Sequence, residues 1–220
     1  MPLPYIIVPV YNGAFSLKEF LGRLHQQWLD RLVIVDDGSS DETSVILKKL
    51  NYTTLTHEKN RGKGAAIQSG LHWINENGGT KLITIDIDLQ HPPEMLDEFS
   101  AIPYETILLG YRNDRRKMPL LRQVSNFLTS LLISIRSGAI IKDSQCGYRS
   151  FHTKVFKDIR CYENGFQFES EVLIKCINKN SKIRQIKIET IYDKNNKSYI
   201  RHISDTLKFI RLIIRSIIKG

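Results

Sequence analysis

The sequence predicts an α/β domain: a mostly parallel sheet flanked by helices, with amphipathic helices in the C-terminal half. Three observations lead there. Short apolar runs alternate with helical patterns through the first half, the βαβ rhythm of a sheet covered on both faces. Polar and acidic residues gather where those runs end, the edge at which ligands collect on such sheets. The 220 residues, 41% hydrophobic and 25% charged, suffice for one domain with a proper buried core.

Taken in order, Tyr5–Val10, Arg31–Asp36, Thr53–His57, Lys81–Asp86 and Thr106–Gly110 predict strands. Helical patterns lie between them over 16–28, 41–50, 63–77 and 93–100. Ser40-Asp41 marks one helix start, and Pro92-Pro93 suits the first turn of another. The second half opens with a basic segment, 111–122, followed by an apolar helical pattern over 123–136. A turn-and-strand stretch, Asp143–Phe151, precedes a helix over 168–179, a strand over 182–192 and a terminal helix from Ile203. No internal repeat or low-complexity linker interrupts the chain. Residues 1–202 are therefore expected as one domain and 203–220 as an appended amphipathic helix.

Composition narrows the function. There are 32 Lys and Arg against 23 Asp and Glu, a net charge of +9, which favours an anionic partner: nucleic acid, a phosphorylated ligand or an acidic membrane face. Cys146, Cys161 and Cys176 are odd in number and form no CxxC, which fits a reducing cytosol rather than a disulfide framework or structural zinc. The N-terminus lacks the basic and apolar regions of a signal peptide, and no apolar run approaches the ~20 residues needed to span a bilayer. An integral membrane protein is not expected.

Where the fourth strand leaves the core stand Asp86, Asp88 and Gln90, three oxygen-bearing side chains at alternate positions. They are hard ligands suited to Mg²⁺ or Mn²⁺. By itself the pattern also fits acidic residues that merely end a strand before a helix.

The surrounding segments discriminate. Val8-Pro-Val-Tyr-Asn12, Val35-Asp-Asp-Gly-Ser-Ser-Asp41, Asn60-Arg-Gly-Lys-Gly-Ala-Ala66 and Asp86–Glu94 occur in that order. Together they strongly resemble the family 2 glycosyltransferases of GT-A (Rossmann-like) fold. The subgroup most similar is that of dolichyl- and polyprenyl-phosphate sugar transferases, whose order and spacing Gly110–Arg112, Met118–Arg122, Asp143–Arg149 and Phe168–Glu171 also match. The resemblance covers roughly residues 4–205.

The resemblance implies an inverting, metal-dependent transfer from a nucleotide-sugar. Asp86, Asp88 and Gln90 then look like the Mg²⁺ or Mn²⁺ and diphosphate site, with Asp88 central to catalysis. Asp36 resembles the carboxylate that hydrogen-bonds the nucleobase, with Pro9, Tyr11 and Asn12 lining the same pocket; Asp37 either joins it or caps the turn at Gly38-Ser39. Lys63 opens a helix where an anion would sit, and otherwise is a solvated helix-start lysine. Lys197–Arg201 is similar to the family loop that closes over the donor diphosphate, Arg201 supplying charge. The family usually has Glu where this chain has Gly13, which removes one nucleotide contact and leaves GDP- and UDP-linked sugars both open.

Two acceptors are open as well. A saccharide hydroxyl, as in surface polysaccharide synthesis, needs a base, for which Glu169 and Glu171 are the candidates; both also suit a helix start. A polyprenyl phosphate, already ionised, needs cations instead, and Arg112 and Arg122 match the subgroup's lipid-phosphate positions. Arg115, Arg116 and Lys117 add positive potential. His91 is read as structural. The stripe Leu121, Val124, Leu128, Leu131, Leu132 and Ile135 is either core or membrane contact. The terminal stripe Ile203, Leu207, Ile210, Ile214 and Ile217, bordered by Lys208, Arg211, Arg215 and Lys219, suits an anionic membrane surface, or packs on the domain or on a second copy in a homo-oligomer. The expectation is a peripheral enzyme at the cytoplasmic membrane face, acting on polyprenyl phosphate. Nucleic-acid binding would leave Asp36, Asp86, Asp88 and Gln90 idle, and no recognisable nucleic-acid motif supports it.

Overall fold

The structure, a computed structural model, describes residues 3–103, 106–114, 118, 120–157, 159–189 and 212, apart from the side chains of 121 and 136. Strand β1 (Tyr5–Val10) sends Ile6, Val8 and Val10 into one apolar cluster and Ile7 into another on the opposite face. β2 (Leu32–Asp36) does the same, with Leu32 and Ile34 on the first side, Val33 and Val35 on the second. A central strand with helices on both faces must be apolar throughout, and β2 is buried along its whole length.

Five further strands complete the sheet: β3 (Thr53–Thr56), β4 (Lys81–Thr84), β5 (Thr106–Arg112), β6 (Arg149–His152) and β7 (Lys182–Ile188). Their order is β3-β2-β1-β4-β6-β5-β7. β6 runs antiparallel to β4 and β5, and every other pairing is parallel. The carboxyl ends of β1, β2 and β4 therefore share one edge. Because β6 runs the other way, the chain entering it at Arg149 reaches that edge too, paired with Thr84.

Helices α1 (Ala14–Gly22), α2 (Gln26–Leu29), α3 (Thr43–Lys48) and α5 (Leu96–Ser100) cover the first face with Leu17, Phe20, Trp28, Leu47, Leu96 and Phe99. α4 (Lys63–Glu76) and α7 (Phe168–Asn178) cover the second through Ile67, Ile74 and Val172. α4 lies close to β1, since a Cβ added at Gly70 would sit 2.9 Å from Ile7 Cγ2.

Some bounds differ from expectation. The helix expected over 16–28 is two, because His25 adopts extended backbone (φ −68°, ψ 149°) between α1 and α2. β4 stops at Thr84 rather than Asp86, so both carboxylates lie in the following turn, where Leu89 has φ 58°. A tight 3-10 turn over Pro93–Met95 precedes α5. Arg115–Lys117, residues 190–192, Lys197–Arg201 and the terminal stripe fall outside the described residues.

α6 (Leu120–Ser137) settles one alternative. Val124, Leu128, Leu131, Leu132 and Ile135 are exposed, joined by Leu120, Phe127 and Ile140. The buried side carries Ser125, Asn126, Thr129, Ser130 and Ile133. The apolar stripe is not core. The inner face is held by hydrogen bonds: Asn126 Nδ2 donates to Asp143 at 2.9 Å, and Ser130 Oγ accepts from Ser144 N at 3.0 Å. Leu212, helical and buried, packs with Leu109, Ile133, Ile141, Leu173 and Ile174. At Leu212 the chain rests on the domain.

Candidate active site

Two loops at the shared edge interlock. Asn12, in left-handed backbone at φ 51°, accepts Ser40 N at 2.8 Å through Oδ1, while its own N–H donates to Ser39 Oγ at 2.9 Å. Gly13 N donates to Thr43 Oγ1 at 2.9 Å. Asp36 is fully buried; Ser39 N donates to one oxygen at 2.9 Å and Ser44 Oγ to the other at 2.5 Å. The turn-capping role open for Asp37 thus belongs to Asp36, and a nucleobase would reach Asp36 only if this turn moved. Pro9 and Tyr11 remain half-buried at the edge.

Lys63, the first residue of α4, lies between two carboxylates. Its Nζ is 2.6 Å from Asp86 Oδ1 and 2.7 Å from Glu169 Oε1. Desolvation pulls the ammonium pKa down, but the two carboxylates outweigh it and raise it overall. Burial likewise pushes Asp86 up, and Lys63 outweighs that and holds the carboxyl below its ordinary value. Lys63 is not a solvated helix-start lysine. Gly147 lets this group close up: a Cβ there would stand 2.6 Å from Asp86 Oδ2 and 2.7 Å from Lys63 Nζ and would push those tips aside. Thr84 Oγ1 pins the same residue by donating to Gly147 O at 2.8 Å.

Asp88 differs from Asp86. Burial first, then the Asp86 charge, push it up to about 6, against Gln90 N, which donates to its Oδ1 at 3.1 Å. Two carboxylates that disfavour each other's charge, followed by an amide, are a hard-oxygen set that fits Mg²⁺ or Mn²⁺. Arg122 contributes positive charge to both aspartates. His91 is buried, its Nε2 3.8 Å from Cys146 Sγ and its ring stacked on Tyr148 at 6.2 Å. Burial, then Arg112, push it down to about 4, so it is neutral at pH 7 and structural, as expected.

Two assignments are corrected. Arg112, expected at the acceptor phosphate, is 2% exposed and forks onto Asp143, its Nε at 2.7 Å and its other donor at 2.9 Å. It is a buried structural pair. Glu171 accepts Tyr162 N at 2.9 Å, Glu163 N at 2.8 Å and Lys175 Nζ at 2.6 Å, so it closes a loop rather than facing a substrate. Sequence reasoning quoted Asp143–Arg149 but gave its members no role. Arg149 holds that loop, donating to Cys146 O at 2.8 Å and Ser144 O at 2.7 Å. The glycine at the mouth of β6 was the available signal. Arg201 lies outside the described residues.

A mostly parallel sheet carries Lys63 between two carboxylates at its ligand edge, and comparison with known proteins identifies the chain as a glycosyltransferase. The chain belongs to glycosyl transferase family 2, whose family model matches residues 5–160. The UDP-N-acetylglucosamine–dolichyl-phosphate N-acetylglucosaminyltransferase of Methanococcus voltae is 29% identical over 219 residues, covering 86% of this chain and 86% of that protein. An undecaprenyl-phosphate 4-deoxy-4-formamido-L-arabinose transferase of Salmonella choleraesuis is 29% identical, covering 72% of this chain and 51% of that one. Glucosyl-3-phosphoglycerate synthase of Mycobacterium tuberculosis, solved with UDP, superimposes with a TM-score of 0.74 over 98% of this chain and 80% of its own, at 15% identity. The same synthase has been solved with Mn²⁺ and UDP. The fold is GT-A.

Proposed function

We propose that this glycosyltransferase moves a sugar from a UDP-linked donor to a polyprenyl phosphate at the cytoplasmic face of a membrane. The observation that carries the reading is α6. Its exposed apolar side (Leu120, Val124, Phe127, Leu128, Leu131 and Ile135) begins where Arg122 adds charge to Asp86 and Asp88. A helix with this outward face suits the acyl boundary of a bilayer. A lipid whose tail lies there would bring its phosphate toward Arg122. Among the described residues no helix is long and apolar enough to cross a membrane, so contact through a helix face is the mode proposed. The basic-bordered apolar stripe within residues 203–220 is proposed as a second contact with the membrane.

Asp86 and Asp88 with Gln90 would hold Mg²⁺ or Mn²⁺, which when bound offsets charge on the departing diphosphate. Lys63 adds a fixed positive charge beside them, and Pro9, Tyr11 and Asn12 line the nucleotide end. Asp36 takes part by shaping that wall. Arg201 is proposed to close over the diphosphate. A phosphate acceptor needs no base, which agrees with Glu169 held by Lys63 at 2.7 Å and Glu171 engaged by backbone. The printed substrates of the Methanococcus and Salmonella relatives, both polyprenyl-type phosphates, support the same acceptor.

The test is radiolabelled transfer from UDP-sugars with Mn²⁺ into polyprenyl phosphate in vesicles, with saccharide acceptors in parallel. Organic-phase label that disappears in Asp88→Ala and in excess chelator is expected. Label found only in the saccharides would overturn the lipid acceptor, and full turnover in chelator would overturn the metal.

A further inference from the structure

Away from the carboxylate pair, three polar side chains form a chain of their own. His57, just beyond β3, has Nδ1 2.6 Å from Asp37 Oδ1 and Nε2 2.9 Å from Ser69 Oγ. The order Asp–His–Ser is that of a nucleophilic relay, but the setting is wrong for one. Ser69 lies in the middle of α4, whose backbone N–H groups are committed to the helix, so no pair of donors is left to receive an oxyanion. Asp37 and His57 are both buried. The chain points inward, toward backbone.

What it holds is the loop that delivers Lys63. Asp37 Oδ1 also accepts Arg61 N at 2.9 Å, and Oδ2 accepts Gly62 N at 2.7 Å. His57 N donates to Asp36 O at 2.9 Å, and Asp37 N to Val10 O at 2.8 Å, so the carboxylate is anchored to the ends of β1 and β3. Gly38 allows the two loops to touch, since a Cβ there would stand 2.4 Å from the Lys59 carbonyl carbon. Gly62, at φ 99°, then turns the chain into α4. Its neighbour Lys63 starts the helix with Nζ already between Asp86 and Glu169. Nδ1 pairs with the Asp37 carboxylate and Nε2 with the Ser69 hydroxyl, so the ring is held from both sides. That fixes the ring orientation. Asp37 thereby has three partners, the ring and two loop N–H groups.

We infer that His57 is a positioning residue for the donor site, acting through Asp37 on the Arg61–Gly62 backbone to set Lys63 against Asp86. Ser69 orients the imidazole from α4, the helix Lys63 begins, so both ends of the tether belong to one rigid unit. The inference rests on the donor-site role proposed above for Lys63. The function of the tether is preorganisation: Lys63 is aimed before the diphosphate arrives, so ordering it does not weaken binding.

The test combines calorimetric binding of UDP with Mn²⁺ and amide hydrogen exchange over residues 59–64 without ligand. Wild type is compared with His57→Leu, His57→Asn, Ser69→Ala, Lys63→Met and the double variant His57→Leu/Lys63→Met. Loss of a hydrogen bond to a charged group predicts about tenfold weaker UDP binding and about tenfold faster exchange at Arg61 and Gly62 in His57→Leu. His57→Asn keeps a donor toward Asp37 and should recover most of both. In the Lys63→Met background the His57→Leu change should cost nothing further, because its effect runs through Lys63. A folded His57→Leu variant with wild-type affinity and protection overturns the inference, as do losses that multiply in the double variant. Should His57→Leu not fold, Ser69→Ala carries the test: faster exchange at Arg61 and Gly62 is expected, and unchanged exchange overturns. If wild type itself fails to bind UDP with Mn²⁺, the donor-site reading falls, while exchange at those two amides still decides the tether.

Discussion

Gly147 stands where three charged side chains converge, and a single methyl group there would push their tips out of register. Its Cβ would be 2.6 Å from Asp86 Oδ2, 2.7 Å from Lys63 Nζ and 3.0 Å from Glu169 Oε1. Gly147→Ala should therefore lower kcat/KM at least about tenfold, with an overpacking cost of about 1–3 kcal/mol, measured by steady-state kinetics and denaturant unfolding. A second expectation concerns the thiols. Burial, then Glu171, push Cys161 up to about 12, and Cys146 and Cys176 are buried. A thiol with a raised pKa stays protonated at neutral pH and reacts slowly. Ellman's reagent should find no fast thiol in the native protein and all three after unfolding. At this scale the motifs were a good guide to placement: Lys63 and Asp86, read from separate segments, meet at the ligand edge, Nζ 2.6 Å from Oδ1. They misled for Arg112, because the Asp143 that captures it lies 31 residues away and only the closed sheet brings them together.

At the scale of elements, α6 shows what periodicity can and cannot report. The 3.6-residue stripe identified a helix with one apolar side, and the helix is there. Periodicity carries no sign, however: it does not say which side turns inward. That was decided by the following loop, where the Asp143 carboxylate accepts Asn126 Nδ2 and Ser144 N donates to Ser130 Oγ. Phe127 is 59% exposed and Ile135 is 71% exposed, so Phe127→Glu and Ile135→Glu remove no buried contact. Thermal stability should stay within about 0.5 kcal/mol of wild type. Vesicle co-sedimentation should drop several-fold, whereas unchanged binding would return α6 to a protein partner. By contrast Trp28, 1% exposed on the short α2, anchors the first face, and Trp28→Ala should cost about 3–5 kcal/mol in denaturant unfolding.

For the molecule as a whole, the proposed membrane contact calls on the net charge of +9, which would attract anionic lipid at long range before the apolar face engages it. Binding to anionic vesicles should weaken as salt rises from about 0.05 to about 0.5 M, where screening becomes short-ranged, without vanishing. Loss of all binding at high salt would assign the contact to charge alone. The alternation of strands and helices made the class legible, and the polar strand ends made the ligand edge legible. The insertion of β6 between β4 and β5 was not, because strand order depends on pairing between segments more than sixty residues apart, such as Leu82 with Phe151. No local pattern encodes such pairing.

That insertion also sets when the enzyme comes into being. Lys63 and Asp86 emerge from the ribosome early, yet Gly147 and Glu169, which complete their cage, are made 61 and 83 residues after Asp86. Until β6 slots in, the sheet has an open edge at β4, and until α7 docks, Lys63 has one carboxylate instead of two. Long-range closure of this kind is slow, and it comes last. A nascent chain thus carries the nucleotide loops and the Asp37 tether before Glu169 is there to take the second side of Lys63.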